Sequence, residues 1–410
     1  MSASTAATPI GIHDLEITTT HHVVDLTDLA HSNGTEPAKY RLGLGQDQFS
    51  FPAPDEDIVT MGAAAALPLI ERNGSEGIRT VMFATESGVD QSKAAGVPVQ
   101  RLLGLPSQVR VVELKQACYG GTAALQAALG IVARNPNERV LIISSDIARY
   151  QLDSPGEPTQ GAGAVAMLVS ANPALLEIEA AAGLFTDDVD DFWRPNDSTT
   201  AVVDGKLSMS AYLDALSGAW ADLQTQGGPG IDQIDRIIYH QPFTKMAKKA
   251  QAHLAALTGV DLGLELPGEV AVDGSNDSDD AARDTGLATG TLYNRRLGNS
   301  YTASVFAGLA ALLHHDAELE GKRIGLFSYG SGSVSEFLTG IVQPDYFDSE
   351  AASRFYATLE AREPLDIAAY RELHQAERPS ADDYETPRVT SAPFRFSGVK
   401  DQARQYERNA

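Results

Sequence analysis

The chain has one cysteine in 410 residues. That excludes an internal disulfide and any cysteine-rich zinc or iron–sulfur site. Long hydrophobic runs are missing too: no stretch stays apolar for the ~20 residues a helical membrane span requires. The opening MSASTAATPIG lacks a basic patch leading into an apolar run, so it does not read as a signal peptide. The expected location is the cytoplasm. Positive charge is scarce, with 31 Lys and Arg against 55 Asp and Glu and a net charge of −24. A field of that sign repels nucleic acid and anionic lipid, so neither a nucleic acid nor a membrane is expected as a partner. An anionic substrate would need a local basic patch. Metal-ligand spacings such as H-E-x-x-H are absent, and DDVDD (187–191) does not match an EF-hand, so no metal is expected. GEPTQGAGA (156–164) is glycine-rich but lacks the G-K-[ST] of a nucleotide P-loop.

What is present is a globular composition, 43% hydrophobic and 21% charged. Strand-like apolar runs alternate with helical patterns. TVMFATES (80–87), RVLIISSD (139–146), AVAMLVS (164–170) and LLEIEAAAGLF (175–185) read as strands, and residues 120–134 as a helix. The second half repeats the style. RIIYHQP (236–242) reads as a strand and TKMAKKAQAHLAALTG (244–259) as a helix closed by Gly259. SYTASVFAGLAALLHH (300–315) is a second helix, and RIGLFSYGSG and SVSEFLTGIV (323–342) are strands around a glycine-rich turn. A small-residue helix, an R-[VI] strand, a polar turn and a G-x-V-[AS] strand occur at 118–170 and again at 299–342. This predicts a duplicated α/β unit, with an N-terminal half over 1–174 and a C-terminal half over 175–410. Residues 267–286 read as an acidic, solvated loop. The tail after Phe347 reads as helical at first and irregular later, wrapped around the second half.

The lone Cys118 follows ELKQA and precedes Tyr119-Gly120-Gly121 and an apolar helix. A thiol at a helix start is expected to have a lowered pKa, and amides there can face an oxyanion. A free cysteine in such a place is otherwise a small core residue. Glu86 ends an apolar strand, a position suited to acid–base work or to a plain surface carboxylate. His240 is the only histidine that closes a β-branched strand; it is a catalytic imidazole or a satisfied core residue. Asn299 is an amide donor or a helix N-cap. Gly330 and Gly332 let the backbone around Ser331 approach a ligand, although SYGSG fails as a nucleophile elbow. Lys245, Lys248 and Lys249 lie on one helix, with Lys245 and Lys249 on one face. With Arg194, Arg295 and Arg296 they make a candidate phosphate site in an acidic chain.

The order Glu86, Cys118, His240, Asn299 resembles the thiolase superfamily. Within it the chain is similar to the hydroxymethylglutaryl-CoA synthases of the bacterial mevalonate-pathway type. The similarity rests on GLGQDQ (43–48), TESGVDQSKAA (85–95), ELKQACYGGTAALQ (113–126), SSDIARY (144–150), GEPTQGAGAVAML (156–168), DFWRPNDS (191–198), VDGKLS (203–208), YHQPFTKMAKKA (239–250), RRLGNSYTAS (295–304) and LFSYGSGSVSEF (326–337). The resemblance implies a thiolase-like layered α-β-α-β-α fold built from two related α/β halves, and a homodimer. It implies Cys118 as acylated nucleophile, Glu86 as general acid/base and His240 as the residue holding acetoacetyl-CoA. Asn299 would donate to a carbonyl oxygen, and the amides of Cys118 and Ser331 would form the oxyanion hole. Tyr150 and Phe192 would wall the cavity, and Lys245 and Lys249 would contact coenzyme A. Acetyl-CoA and acetoacetyl-CoA are the implied substrates, with no cofactor beyond these thioesters. A carrier-protein-bound substrate, as in polyketide β-branching, and a non-catalytic scaffold are the alternatives. A thiolase would need a second cysteine, which is absent.

Overall fold

The computed structural model describes residues 8–267, 283–376 and 382–409. Most of the expected acidic loop at 267–286 lies outside the described residues. Nine strands form one mixed sheet: β1 Ile10–Thr18, β2 Ile78–Ala84, β3 Arg110–Leu114, β4 Arg139–Ala148, β5 Gly161–Ala171, β6 Leu176–Thr186, β7 Arg236–Tyr239, β8 Arg323–Gly330 and β9 Val334–Val342. Their order is β7-β8-β9-β6-β1-β5-β4-β2-β3. In the first half β2 runs parallel to β4, β4 antiparallel to β5, and β5 antiparallel to β1. The second half repeats this: β7 parallel to β8, β8 antiparallel to β9, β9 antiparallel to β6. The halves meet through β1 and β6 at only two residue pairs, Gly11–Glu177 and Ile12–Leu176.

Side-chain alternation along each strand sorts residues into layers. On β5, Val165, Met167 and Val169 face one cluster while Ala164, Ala166 and Leu168 face another. On β8, Ile324 and Leu326 face the first cluster, and Phe327 and Tyr329 a third. The shared first cluster contains two central helices, α2 Gly120–Arg134 and α5 Ser304–His315, so strands of both halves cover the same middle layer. Every residue of α5 from Ser304 to Leu313 is buried, as expected of a helix packed on all sides. Helix α1 (Ile58–Asn73) covers the outer face of the first half, and α3 (Gly205–Thr225) with α4 (Thr244–Thr258) covers the second. The result is the layered, thiolase-like α/β architecture. Strands buried on both faces are continuously apolar, which is why they are legible in the sequence.

The tail departs from expectation. It carries helices Ala351–Glu360 and Ile367–Gln375, but it ends in a β-hairpin, Phe394–Lys400 and Ala403–Arg408, not in irregular chain. The hairpin packs on the first half, where Phe394, Phe396 and Tyr406 join the α1 cluster. Arg404 and the Tyr406 hydroxyl donate to Asp57 Oδ2 at 2.6 and 2.7 Å, and Asp57 also N-caps α1. The hairpin looks charged in sequence because its apolar face is sparse, while Arg395 and Arg404 are paired with Asp55 and Asp57.

Candidate active site

Glu86, Cys118, His240 and Ser331 follow the carboxyl ends of β2, β3, β7 and β8. In open α/β sheets that is where binding crevices form. The chain turns sharply before the thiol: Ala117 has φ 41°, a left-handed conformation that non-glycine residues seldom adopt. The Cys118 Sγ donates to Glu86 Oε1 at 3.0 Å. Cys118 is buried, and Glu86 is half-buried where the cavity meets it. Burial, and secondarily the charge of Asp146, pushes the Glu86 carboxyl up to about 8; the Cys118 hydrogen bond and Arg194 oppose this. Burial and then Glu86 push the thiol upward as well. The expected lowering at the helix start is therefore overturned. Desolvation and a facing carboxylate outweigh the dipole of α2, whose first residue is two positions further on. A thiol in this state rests protonated against the Glu86 carboxyl, not as a thiolate.

Asp146, which carried no role in the sequence reading, organises the pair. It is fully buried on β4. Its Oδ1 accepts from the Thr85 hydroxyl (2.7 Å), the amides of Glu86 and Ser87 (2.9 and 3.0 Å) and the Ser87 hydroxyl (2.5 Å). Its Oδ2 accepts from the Thr302 amide and hydroxyl at 3.1 and 2.5 Å. One carboxylate thus holds the Glu86 loop of the first half against the 301–303 turn of the second. Its signal in the sequence, an acid closing an apolar strand in RVLIISSD, is the same one that singled out Glu86.

The second half brings its groups to the thiol through close backbone approach. A Cβ on Gly330 would lie 2.5 Å from Gln116 O and 2.7 Å from Tyr119 N, so the Ser331 turn sits on the Cys118 turn. Gln116 Nε2 donates to Ser331 O at 3.3 Å. Asp191, buried and inside the acidic DDVDD run, fixes that turn by accepting from Gly332 N (2.8 Å) and the Tyr329 hydroxyl (3.0 Å). Gly121 has a second reason to be glycine: a Cβ there would meet Ser144 Oγ at 2.5 Å and Thr302 O at 2.8 Å, at the contact of α2 with the second half.

His240 is buried, and burial pushes its imidazole down to about 3, which keeps it neutral. Its amide donates to Phe327 O and its carbonyl accepts from Tyr212, both at 2.8 Å. Among the described residues its ring makes no hydrogen bond to Cys118 or Glu86. It shares their end of the sheet because β7 is parallel to β8, whose own end packs on the Cys118 turn. Asn299 is not a helix N-cap: its Oδ1 accepts from Tyr301 N (2.9 Å) and its Nδ2 donates to the Tyr150 hydroxyl (3.3 Å). Tyr150, Phe192 and Tyr301 surround Cys118 as an edge-to-face aromatic set, with centroids 5.9 to 6.4 Å apart. The C-terminal tail holds this wall, since His374 Nε2 lies 2.9 Å from both Tyr150 O and Gln160 Oε1.

A cavity of about 1130 Å³ opens beside Glu86, lined also by Gln116, Ala117, Phe192 and Arg194. Arg194 donates to Glu86 O at 2.8 Å. Lys245 and Lys249 do not line this cavity. Lys245 Nζ donates to Leu42 O at 3.1 Å, and Lys249 stands 5.6 Å over the Phe243 ring. Neither has a carboxylate partner among the described residues. Arg295 and Arg296 leave the candidate phosphate cluster, being paired with Asp47 (3.1 Å) and Glu360 (2.7 Å).

Comparison with known proteins gives the family. The family model described as hydroxymethylglutaryl-coenzyme A synthase N terminal matches residues 7–174, and its C-terminal counterpart matches 177–259 and 280–376. The hydroxymethylglutaryl-CoA synthase of Enterococcus faecalis is 38% identical over 89% of this chain and 91% of that protein. The polyketide biosynthesis 3-hydroxy-3-methylglutaryl-ACP synthase of Bacillus subtilis is 31% identical over 85% of this chain and 84% of that protein. A solved structure, MvaS in complex with 3-hydroxy-3-methylglutaryl coenzyme A, superposes with a TM-score of 0.85 at 38% identity, covering 98% of this chain and all of the other. The thiol–carboxyl pair thus sits in a chain that belongs to the hydroxymethylglutaryl-CoA synthase family of thiolase-like acyltransferases.

Proposed function

We propose that this chain condenses acetyl-CoA with acetoacetyl-CoA and water, giving 3-hydroxy-3-methylglutaryl-CoA and free coenzyme A. The observation that carries the reading is the Cys118–Glu86 hydrogen bond inside a chain of this family. Cys118 attacks the acetyl thioester as Glu86 takes the thiol proton, and coenzyme A leaves as its thiol. A thioester formed from a thioester is close to balanced, so this step needs little driving force. Glu86 then removes a proton from the acetyl methyl group, and the enolate attacks the ketone carbon of acetoacetyl-CoA. The amides of Cys118 and Ser331 face the developing enolate oxygen, the step where preorganised donors matter most. Glu86 returns the proton to the new alkoxide. Water cleaves the cysteine thioester, which releases the product. A carboxyl titrating near 8 suits a group that must both take and give a proton near neutral pH. His240, kept neutral by burial, holds the acetoacetyl group, and Asn299 donates to its carbonyl. Tyr150 and Phe192 wall the acyl cavity. Lys245 and Lys249, half-buried and lacking carboxylate partners among the described residues, take the coenzyme A phosphates. The reaction as written uses no metal or redox group.

The same reading divides the chain into halves at 1–174 and 175–410 and makes it a homodimer. Supporting the dimer, β3 is an open sheet edge carrying Val112 at 45% exposure, beside Val97 at 40%. A catalytic thiol that must stay reduced fits a cytoplasmic location.

Product identification tests the proposal. Incubation with both thioesters should give 3-hydroxy-3-methylglutaryl-CoA and coenzyme A in equal amounts by mass spectrometry. Acetylation of Cys118 without condensation would favour a carrier-bound acceptor, the reading that the Bacillus subtilis relative supports. An untouched Cys118 would overturn the proposal.

A further inference from the structure

His21 and His22 follow β1 in the chain. In the structure His22 opens a short strand, His22–Asp25, paired in parallel with Glu363–Pro364 of the tail. The Glu363 amide donates to His21 O at 2.8 Å. The two imidazoles meet edge to face, 4.8 Å between centroids. His21 Nε2 lies 3.4 Å from Glu363 Oε2. One ligand atom from each of His21, His22 and Glu363 lies within 4.8 Å of the others. Both His21 Nε2 and His22 Nδ1 are buried with no hydrogen bond among the described residues. Buried polar nitrogens rarely go without a partner, so two at one point call for one. Behind them, the buried Glu56 carboxyl accepts from the His21 amide at 2.9 Å.

We propose that His21, His22 and Glu363 form a site for a divalent transition-metal ion, with Zn²⁺ the best fit. Two imidazoles and one carboxylate are a familiar zinc donor set, leaving a fourth tetrahedral position for water. Ca²⁺ and Mg²⁺ take oxygen ligands instead and are excluded by the imidazoles. With metal–ligand bonds of about 2.0–2.2 Å, tetrahedral donors lie roughly 3.4 Å apart. The His21–Glu363 pair already meets this, and the Glu363 side chain is 68% exposed and free to turn. The ion would fasten the tail to the N-terminal segment. Shortly after Glu363 comes the helix Ile367–Gln375, whose His374 supports the Tyr150 wall. Zinc here is a structural clip, separate from the condensation chemistry.

The test uses the untagged full chain stripped with a chelator. Zn²⁺ titrated by calorimetry should bind at one ion per chain and raise the melting temperature. His21→Ala and Glu363→Gln should each weaken binding by at least about 100-fold, since a direct ligand matters more than the outer-shell partners whose loss costs about 10–100-fold. Glu363→Gln changes one exposed side chain, so loss of binding in that variant is not loss of fold. Co²⁺ should give tetrahedral ligand-field bands without a thiolate charge-transfer band. No saturable Zn²⁺ binding, wild-type binding by both variants, or a thiolate band placing the ion at Cys118 would each overturn the site.

Discussion

The two halves share one strand pattern and one small-residue central helix, yet they carry different chemistry. The first places a buried thiol and a half-buried carboxyl at its strand ends, joined by a 3.0 Å hydrogen bond. The second places a neutral imidazole, an amide side chain and a glycine-flanked turn at the equivalent end. In the proposed reaction the groups that exchange protons with the reacting carbon come from the first half, and the imidazole and amide side chain that hold the second substrate come from the other. A duplicated scaffold allows this because a strand end fixes where a side chain sits without dictating its type. The seam between the halves is polar at the site: Asp146 binds Thr302, Glu336 accepts from Tyr119 (2.8 Å) and Thr122 donates to Ser328 (2.8 Å).

That division is breakable by substitution. The largest effect belongs to Cys118→Ala, which should abolish covalent acetylation; labelled acetyl-CoA and intact-mass measurement check it, and acetylation at the wild-type rate would refute the nucleophile. Glu86→Gln should slow condensation by about 10²–10⁴-fold. In wild type, single-turnover acetylation should rise with pH and level off above about 8, because a base whose pKa is raised is available only above that value; Glu86→Gln should lose this rise. The same substitution should stabilise the fold in alkaline buffer. The folded-state pKa of Glu86 lies above the unfolded value of about 4.3, so folding takes up a proton and stability falls as pH climbs through that window. Glu86→Gln removes the slope and should gain at least about 1.4 kcal/mol near pH 8, the equivalent of one unit of that shift. Urea unfolding at two pH values decides this.

Asp146→Asn attacks the seam. It should cost about 2–3 kcal/mol of stability, because an amide cannot accept all the hydrogen bonds that the carboxylate does. Activity should fall up to about 100-fold through misplacement of Glu86. Activity lost without any change in stability would argue that Asp146 acts directly on substrate. His240→Ala sharpens the contrast: acetylation should stay near wild type while condensation slows and the KM for acetoacetyl-CoA rises, and loss of acetylation would end the division of labour. Smallest is Lys249→Glu, expected to raise the KM for acyl-CoA by about 5-fold, roughly 1 kcal/mol for an exposed ion pair. That effect should fade with added salt. An unchanged KM at low salt would remove the lysine from the phosphate site.

Much of this was legible beforehand because it is local. Strands buried on both faces spell continuous apolar runs, and polar residues stand out where those runs end; that made Glu86, Cys118 and His240 visible. Local pattern also shows why Asp146 was overlooked. RVLIISSD displays the same strand-end acid, but its worth lies in Thr302, 156 positions away. Asp191 was hidden inside an acidic run that looks solvated, although it is buried and holds the Ser331 turn. The tail hairpin was hidden because its arginines read as surface charge, and their partners Asp55 and Asp57 lie more than 300 residues earlier.

By itself, then, the sequence determined which segments are strands and helices, that the unit is repeated, and which few side chains stand at strand ends. Those follow from periodicity and from residue chemistry within a short window. Tertiary structure alone decided that the thiol is raised and not lowered, that one buried aspartate binds the halves, and that the tail supports the aromatic wall. Each depends on burial and on partners distant in the chain, and desolvation is a property of the packed molecule that no short stretch of residues contains.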